Sequence, residues 1–433
     1  MVGKTLVHDK KALVLLIGTN PLANYIIPLY FKTFHRYKNF VFIFSEDNQE
    51  QKGTQAYAER VKQLLHLSPN QVLFVPLKDI GNVQQIIEDL DTIGIWEKFD
   101  EVHLNYKPGT KPMVVAIYNY LKNLYKDRFS ASYLDTRRFK LVYDNGDIFP
   151  VIGDLRNYFF LEIKTLLRLS FYEKLKVESW EEFEFKETLE AIKNLVIEEK
   201  RIDEFLSWLE NPFRKIFKAD KDLFKTAKRF KDHLKKPEIK EYIEKLELST
   251  PDFIWKVLES LPEEKKLTVG KTLWIPPENL GKDALKRRVK DSIEFLDGLW
   301  LEWYVYRELK DKLEDLGLKE KLQFGLSLKA QKDSKPFELD LFIVNGYQLI
   351  GISITTEDRS NVCKLKGFEI IHRVKQIGGE EGRAFLITGL SKEKVKEIQK
   401  DLSFIDGSLE SKIVIYGKDD WEEIGIKLID EIF

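Results

Sequence analysis

Three carboxylates in the last third of the sequence have the types and spacing for phosphodiester chemistry. Glu338 and Asp340 alternate along an apolar stretch, Phe337-Glu338-Leu339-Asp340-Leu341, so a strand there puts both acids on one face. Asn345-Gly346 is a hairpin signal that returns the chain along residues 348–354. Glu302 is the only charge in residues 298–306, and helical spacing sets it in line with Phe295, Leu299, Tyr306 and Leu309. An acid on a core-facing stripe is costly unless it is paired or bound to a cation. Asp340, Glu302 and Glu338 are therefore a candidate set for Mg2+ or Mn2+. A salt bridge to a core arginine or lysine is the structural alternative for Glu302.

A second constellation lies near the start. Gly18, Thr19, Asn20 and Pro21 close the first apolar run. Gly18 permits a tight turn, Thr19 and Asn20 can cap the next helix, and its first N–H groups would face an anion. The fourth apolar run leads into Lys107-Pro108-Gly109-Thr110-Lys111, where Gly109, Thr110 and Lys111 supply flexible backbone, a hydroxyl and a cation. The second run ends in Phe44-Ser45-Glu46-Asp47-Asn48. Loops of this kind on one sheet edge would cradle a phosphate-bearing ligand. Plain turn chemistry explains any one of them alone.

The elements that must carry these loops follow from periodicity. Strands are expected at 12–17, 40–44, 72–75, 101–105 and 139–143, with helices at 54–65, 83–90 and 111–124. This alternation predicts a parallel, doubly wound α/β sheet over residues 1–150, with ligands at the carboxyl ends of its strands. Residues 151–290 read as charged helices at 155–173, 178–211, 220–234 and 237–246. A second α/β domain over 291–433 follows, with a helix at 295–309, strands at 322–328, 338–344, 348–354, 384–387 and 412–416, and helices at 362–376 and 395–402. Two basic clusters offer themselves to a phosphate backbone. The first is Lys215, Lys218, Lys221, Lys225, Lys228, Arg229, Lys231, Lys235 and Lys236; the second is Lys286, Arg287, Arg288 and Lys290. Solvated helix faces are the plainer reading of both.

Bulk properties bound the function. The 433 residues carry 70 basic and 71 acidic side chains, a net charge of -1, which argues against a chain coated in positive charge. A single cysteine, Cys363, excludes an intramolecular disulfide and a cysteine-rich zinc site. No apolar run approaches the roughly 18 residues of a membrane span, and no signal peptide is visible, so a cytoplasmic protein is expected. High Lys and Glu usage with 2 Met points toward a thermophilic source.

Taken in order, the Gly18-Thr19-Asn20-Pro21 opening, the Ser45-Glu46-Asp47 loop and the Gly109-Thr110-Lys111 turn resemble the CARF family, the CRISPR-associated Rossmann-like sensors of cyclic oligoadenylates. Pro108 stands where that family usually has a second glycine. The resemblance implies a homodimer in which two cradles share one ring, with cyclic tetra-adenylate the commonest ligand. The C-terminal third resembles the restriction-endonuclease-like domain fused to such sensors in type III CRISPR defence. It does so through the Trp300-Leu301-Glu302 helix, the Glu338-Leu339-Asp340 strand and residues 367–379. That implies metal-dependent action on DNA or RNA. The family's Glu-x-Lys on the second hairpin strand is absent: Ser353 and Thr355 occupy those places.

Three readings follow. The site is dead and the domain binds a partner; or it works with migrated groups, Glu338 for the acid and Lys364, Lys366 or Lys375 for the lysine; or it performs a different reaction. Cleavage of the cyclic signal in the sensor pocket, assisted by Thr19, Thr110 and Lys111, is a further alternative. A HEPN-type ribonuclease is set aside, because Arg229 and His233 are too close in sequence and Arg359 and His372 too far apart.

Overall fold

The computed structural model describes residues 10–47, 52–217, 223–405 and 413–433. Asn48, Lys218, Lys221 and Lys412, used above, lie outside them. The first sheet contains β1 (Lys11–Leu16), β2 (Asn39–Ser45), β3 (Val72–Leu77), β4 (Glu101–Asn105), β5 (Phe129–Asp135), β6 (Lys140–Tyr143) and β7 (Ile148–Phe149). Its order is β3-β2-β1-β4-β5-β6-β7. The first five strands are parallel, because apolar β-branched strands buried on both faces need crossover helices. Helices α1 (Pro21–Phe34) and α2 (Gln55–Leu64) cover one face, and α3 (Val83–Ile93) and α4 (Lys111–Tyr125) cover the other. Strand order reverses between β1 and β4, so the crevice at their carboxyl ends is the natural ligand position.

β5 was not expected from the sequence. Its Ser130 and Ser132 hydroxyls bond Nδ1 and Nε2 of His103 on β4, each at 2.7 Å. Burial pushes the His103 pKa down to about 3, so the neutral ring is held in the sheet by two hydroxyls.

The middle region is helical but more broken than its charge pattern suggests. It contains α5 (Ile163–Leu169), β8 (Glu173–Glu178), α6 (Lys186–Ile192), α7 (Ile202–Trp208), α8 (Ala227–Leu234), α9 (Pro237–Ser249) and α10 (Asp252–Glu259). The helix expected over 155–173 stops at Leu169, and Phe171 and Lys174 take positive φ to turn the chain into a strand. The stretch expected as one helix over 178–211 begins only at Lys186, is interrupted before Ile202 where Lys200 takes φ +57°, and ends at Asn211, whose φ of -154° is extended. Pro212 disfavours the helical conformation in the residue before it.

The second sheet contains β8 and, after α11 (Trp300–Asp315), β9 (Leu322–Lys332), β10 (Lys335–Asn345) and β11 (Gln348–Ile354). Then come α12 (Ser360–Gly378), β12 (Arg383–Ile387), α13 (Lys392–Ile405), β13 (Ile413–Tyr416) and α14 (Ile424–Ile432). The order is β13-β12-β11-β10-β9-β8, antiparallel from β8 to β11 and parallel beyond.

Two cores tie these parts together. One joins the middle helices and α11, through Phe205, Trp300 and Tyr304, to one face of the second sheet at Ile343, Ile352 and Phe385. The other runs from Ile26, Tyr30 and Phe42 of the first sheet, through Leu166 and Leu167 of α5, to Leu339, Tyr347 and Leu349 on the opposite face. Among the described residues no helix is long and apolar enough to cross a membrane.

Candidate functional site

At the carboxyl end of the first sheet, three loops pack backbone to backbone. A Cβ on Gly18 would lie 2.5 Å from the Pro108 carbonyl oxygen, so only glycine lets the β1 and β4 loops meet. A Cβ on Gly109 would lie 2.4 Å from Cδ1 of Leu16. The third loop is held by Thr54. Its hydroxyl donates to the Ile17 carbonyl at 2.8 Å and accepts the Ser45 N–H at 3.1 Å. Ser45 Oγ accepts the Thr54 N–H at 3.1 Å. Ser45 is thus committed to holding the loop, while Glu46 beside it is exposed.

Asn20 caps α1, its side-chain oxygen accepting the Leu22 N–H at 3.2 Å. Thr110 caps α4 and accepts the Met113 N–H at 3.4 Å. Exposed Thr19, Thr110 and Lys111 lie at the rim of this cradle. Asn24, unmarked in the sequence, supports its floor. In the amide orientation that satisfies both groups, it donates to the Leu16 carbonyl (3.1 Å) and accepts the Gly18 N–H (3.2 Å).

The second constellation forms where the β10–β11 hairpin faces α11 and α12. Antiparallel register sets Leu341 opposite Ile352 and Phe342 opposite Gly351, which brings Ser353 to Asp340. Asp340 Oδ2 accepts the Ser353 hydroxyl at 3.1 Å and the Ile354 N–H at 2.7 Å. The hairpin turn needs Gly346, with φ +62° and a Cβ position 2.4 Å from the Arg156 carbonyl oxygen. A small cavity of about 160 Å³ is lined by Glu338, Asp340, Ser353, Lys366, Glu369 and Arg373. Lys366, Ile370 and Arg373 follow i, i+4, i+7 spacing on α12, and this spacing was the available signal for their shared face.

All three predicted acids lie close enough to act on one another, and two of them, Glu302 and Asp340, are buried. Burial, with Asp340 nearby, pushes the Glu302 carboxyl well above the usual carboxylate range, and Lys366 opposes this. Burial also raises Asp340, but its two hydrogen bonds and Lys366 hold it back. Burial thus disfavours the charged form of both acids. Glu338 points to a different partner, Lys329 at 3.2 Å, and is exposed. Thr355 lies one residue past the end of β11. Its hydroxyl accepts the Glu357 N–H at 3.3 Å, and it does not line the cavity.

Among the described residues, no group of three or more His, Cys, Asp or Glu side chains is arranged to hold a metal ion. With a hydroxyl, Ser353, as the side chain that meets Asp340, the donors do not fit a two-metal centre; they form an acid pair beside Lys366. Of the three lysines offered as replacements, Lys366 lines the cavity, Lys364 pairs with Asp401 and Lys375 is exposed on α12.

The basic clusters divide. In the second, Arg288 bonds the Lys266 carbonyl at 2.9 Å and stacks on Trp274, and Lys290 pairs with Glu294 at 3.0 Å. In the first, Lys228, Arg229 and Lys236 line a groove of about 510 Å³ with Thr226, Asp232 and His233.

The cradle and the cavity are linked by residues 379–381, of which sequence reasoning missed Glu380 and Glu381. Asn20 Nδ2 donates to Glu381 Oε2 at 3.3 Å, and Lys107 pairs with Glu380 at 3.0 Å. Glu381 is 2% exposed, its other carboxylate oxygen has no hydrogen-bond partner, and burial pushes its pKa up to about 7.

Residues 12–146 match the family model of the Card1 CARF domain. The structure of Can2 from Sulfobacillus thermosulfidooxidans, solved in complex with cyclic tetra-adenylate, is similar over 98% of this chain and 99% of that one. Its TM-score is 0.60 and its sequence identity 15%. Protein VC1899 from Vibrio cholerae is similar over 98% of both chains, with a TM-score of 0.57 and 14% identity. At such identities the likeness is one of fold. No curated protein matches the chain.

Proposed function

We propose that the chain is a type III CRISPR effector that binds a cyclic oligoadenylate at the first sheet and passes the signal to the C-terminal domain. The observation that carries this is the three-loop cradle at the β1/β4 switch point, inside the segment that matches the CARF model. Can2, with a similar fold along its whole length, binds cyclic tetra-adenylate, and the same ring is the expected ligand here. Thr19, Thr110 and Lys111 would contact its phosphates. Two copies would share the ring across a two-fold axis. The exposed Val83, Val115 and Leu124 between α3 and α4 offer an apolar surface for that pairing.

The C-terminal domain, by this reading, is restriction-endonuclease-like and takes DNA or RNA. Asp340 and Glu302 are its reactive pair, Lys366 is its cation, and Ser353 fixes Asp340. The sensor, the helical middle and this domain occupy residues 1–150, 151–290 and 291–433, with β8 reaching from the middle into the last. A second reading is favoured by the donor set: with Ser353 and Thr355 in place of Glu and Lys, the domain binds nucleic acid or a protein without cutting it.

One experiment separates the two. Plasmid, single-stranded DNA and single-stranded RNA are incubated with and without cyclic tetra-adenylate, in Mg2+, in Mn2+ and in chelator, alongside Asp340→Ala. Ligand-dependent cutting that falls about 100-fold or more in the variant supports catalysis at the acid pair. Ligand binding by calorimetry with no cutting under any condition selects the binding module. Absence of ligand binding rejects the sensor reading.

A further inference from the structure

We propose that Gly379-Glu380-Glu381 is a charge-sensitive strap through which an anion in the cradle is felt at the Asp340 cavity. The inference rests on the reading that the cradle binds a phosphodiester ring. The strap touches both loops at the switch point, because Glu381 holds Asn20 of the β1 loop and Glu380 holds Lys107 of the β4 loop. Gly379, at φ +63°, leaves space that a Cβ would deny: it would come within 2.5 Å of the Asn20 amide atoms.

On its other side the strap is built into the second sheet. The Glu381 carbonyl accepts Gln348 Nε2 at 3.0 Å, and Gln348 Oε1 accepts Arg156 at 2.7 Å. The strap ends α12, which carries Arg373 and Lys366, and begins β12, which pairs with β11 so that Ser353 lies opposite Leu386. Lys366 is thirteen residues before Gly379, about 20 Å along the helix. A single rigid helix thus spans cradle to cavity.

The chemistry of the contact makes it responsive. Two carboxylates face the loops that would receive phosphates, and Lys107 of the β4 loop is occupied by one. A phosphodiester entering the cradle competes with Glu380 for Lys107 and repels both carboxylates. Glu381, whose one oxygen accepts the Asn20 amide while the other has no hydrogen-bond partner, lies directly in the way of that push. A ligand shifts an equilibrium only by its differential affinity for two states, and this contact supplies such a difference.

The test uses the full chain with cyclic tetra-adenylate as probe. Ligand affinity is measured by calorimetry for wild type, for Glu380→Gln alone, which is exposed and leaves the fold intact, and for Glu380→Gln with Glu381→Gln. Hydrogen exchange over residues 360–387 is followed with and without ligand. The expected result is affinity tightened about 5- to 150-fold in the double variant. Exchange in α12 and β12 is expected to respond to ligand in the wild type and not in the double variant. Wild-type binding with no exchange response, or with a response the variants retain unchanged, overturns the strap and leaves the sensor reading standing. A wild type that binds no ligand overturns both.

Discussion

Glu381→Gln is expected to stabilise the protein by about 3 kcal/mol at pH 8.5 relative to wild type, and by almost nothing at pH 4.5. Burial raises the folded pKa of Glu381 from 4.5 to about 7. For an acid raised in this way, the folded state holds the proton that the unfolded state releases. Its contribution is fully present below about 4.5 and is lost as pH rises through about 7. Glutamine imitates the protonated form and keeps an oxygen for Asn20, so the difference between the two proteins grows across that window. The groups facing Glu381 modify the effect of burial: its own backbone N–H, the Asn20 amide and Lys107 lower the value and Glu380 raises it, and Tyr347 adds a buried hydroxyl with no partner. Urea titrations at pH 4.5, 6, 7 and 8.5 measure the effect. A difference that stays flat across these pH values would show that Glu381 is ionised without penalty.

Gly18→Val is expected to weaken cyclic tetra-adenylate binding by about 100-fold, the value of one or two lost charge-assisted hydrogen bonds. The new side chain meets the Pro108 carbonyl oxygen at 2.5 Å and Pro108 Cβ at 3.2 Å. Backbone on one side and a rigid ring on the other cannot swing aside, so the β1 and β4 loops must part. Thr19 and Lys111 then no longer converge on one ring. Calorimetry with the full chain, accompanied by a thermal melt, reads the loss. Unchanged affinity in a folded variant would place the ligand elsewhere.

Much of the first sheet is legible because its strands are apolar runs with crossover helices between them. β5 is hidden because Ser130 and Ser132, on one face of the strand, are polar residues that serve His103, which erases the alternation a strand should show. β8 is hidden for a different reason: all six of its side chains are exposed, so no buried face marks it. At the cavity, pairing Ser353 with Asp340 follows from hairpin arithmetic alone. The acid pair is half legible, since Glu302 reads as an anomalous charge but its neighbour depends on how α11 packs on the sheet. Choosing Lys366 over Lys364 and Lys375 requires the face of α12 that the sheet covers. The Asn20–Glu381 contact spans 361 residues, and no local pattern announces a contact at that range.

The core that runs from α1 through α5 to Tyr347 and Leu349 has a consequence for how such a chain can change over generations. Recombination that exchanged everything after residue 150 would leave Ile26, Tyr30 and Phe42 facing an unfamiliar surface, and the newcomer would have to recreate that fit at once. Point substitution meets no such barrier. The pocket that carries Asp340 and Ser353 lies on the ends of strands whose interiors are already packed, so its chemistry can be rewritten one letter at a time while the inherited frame is kept.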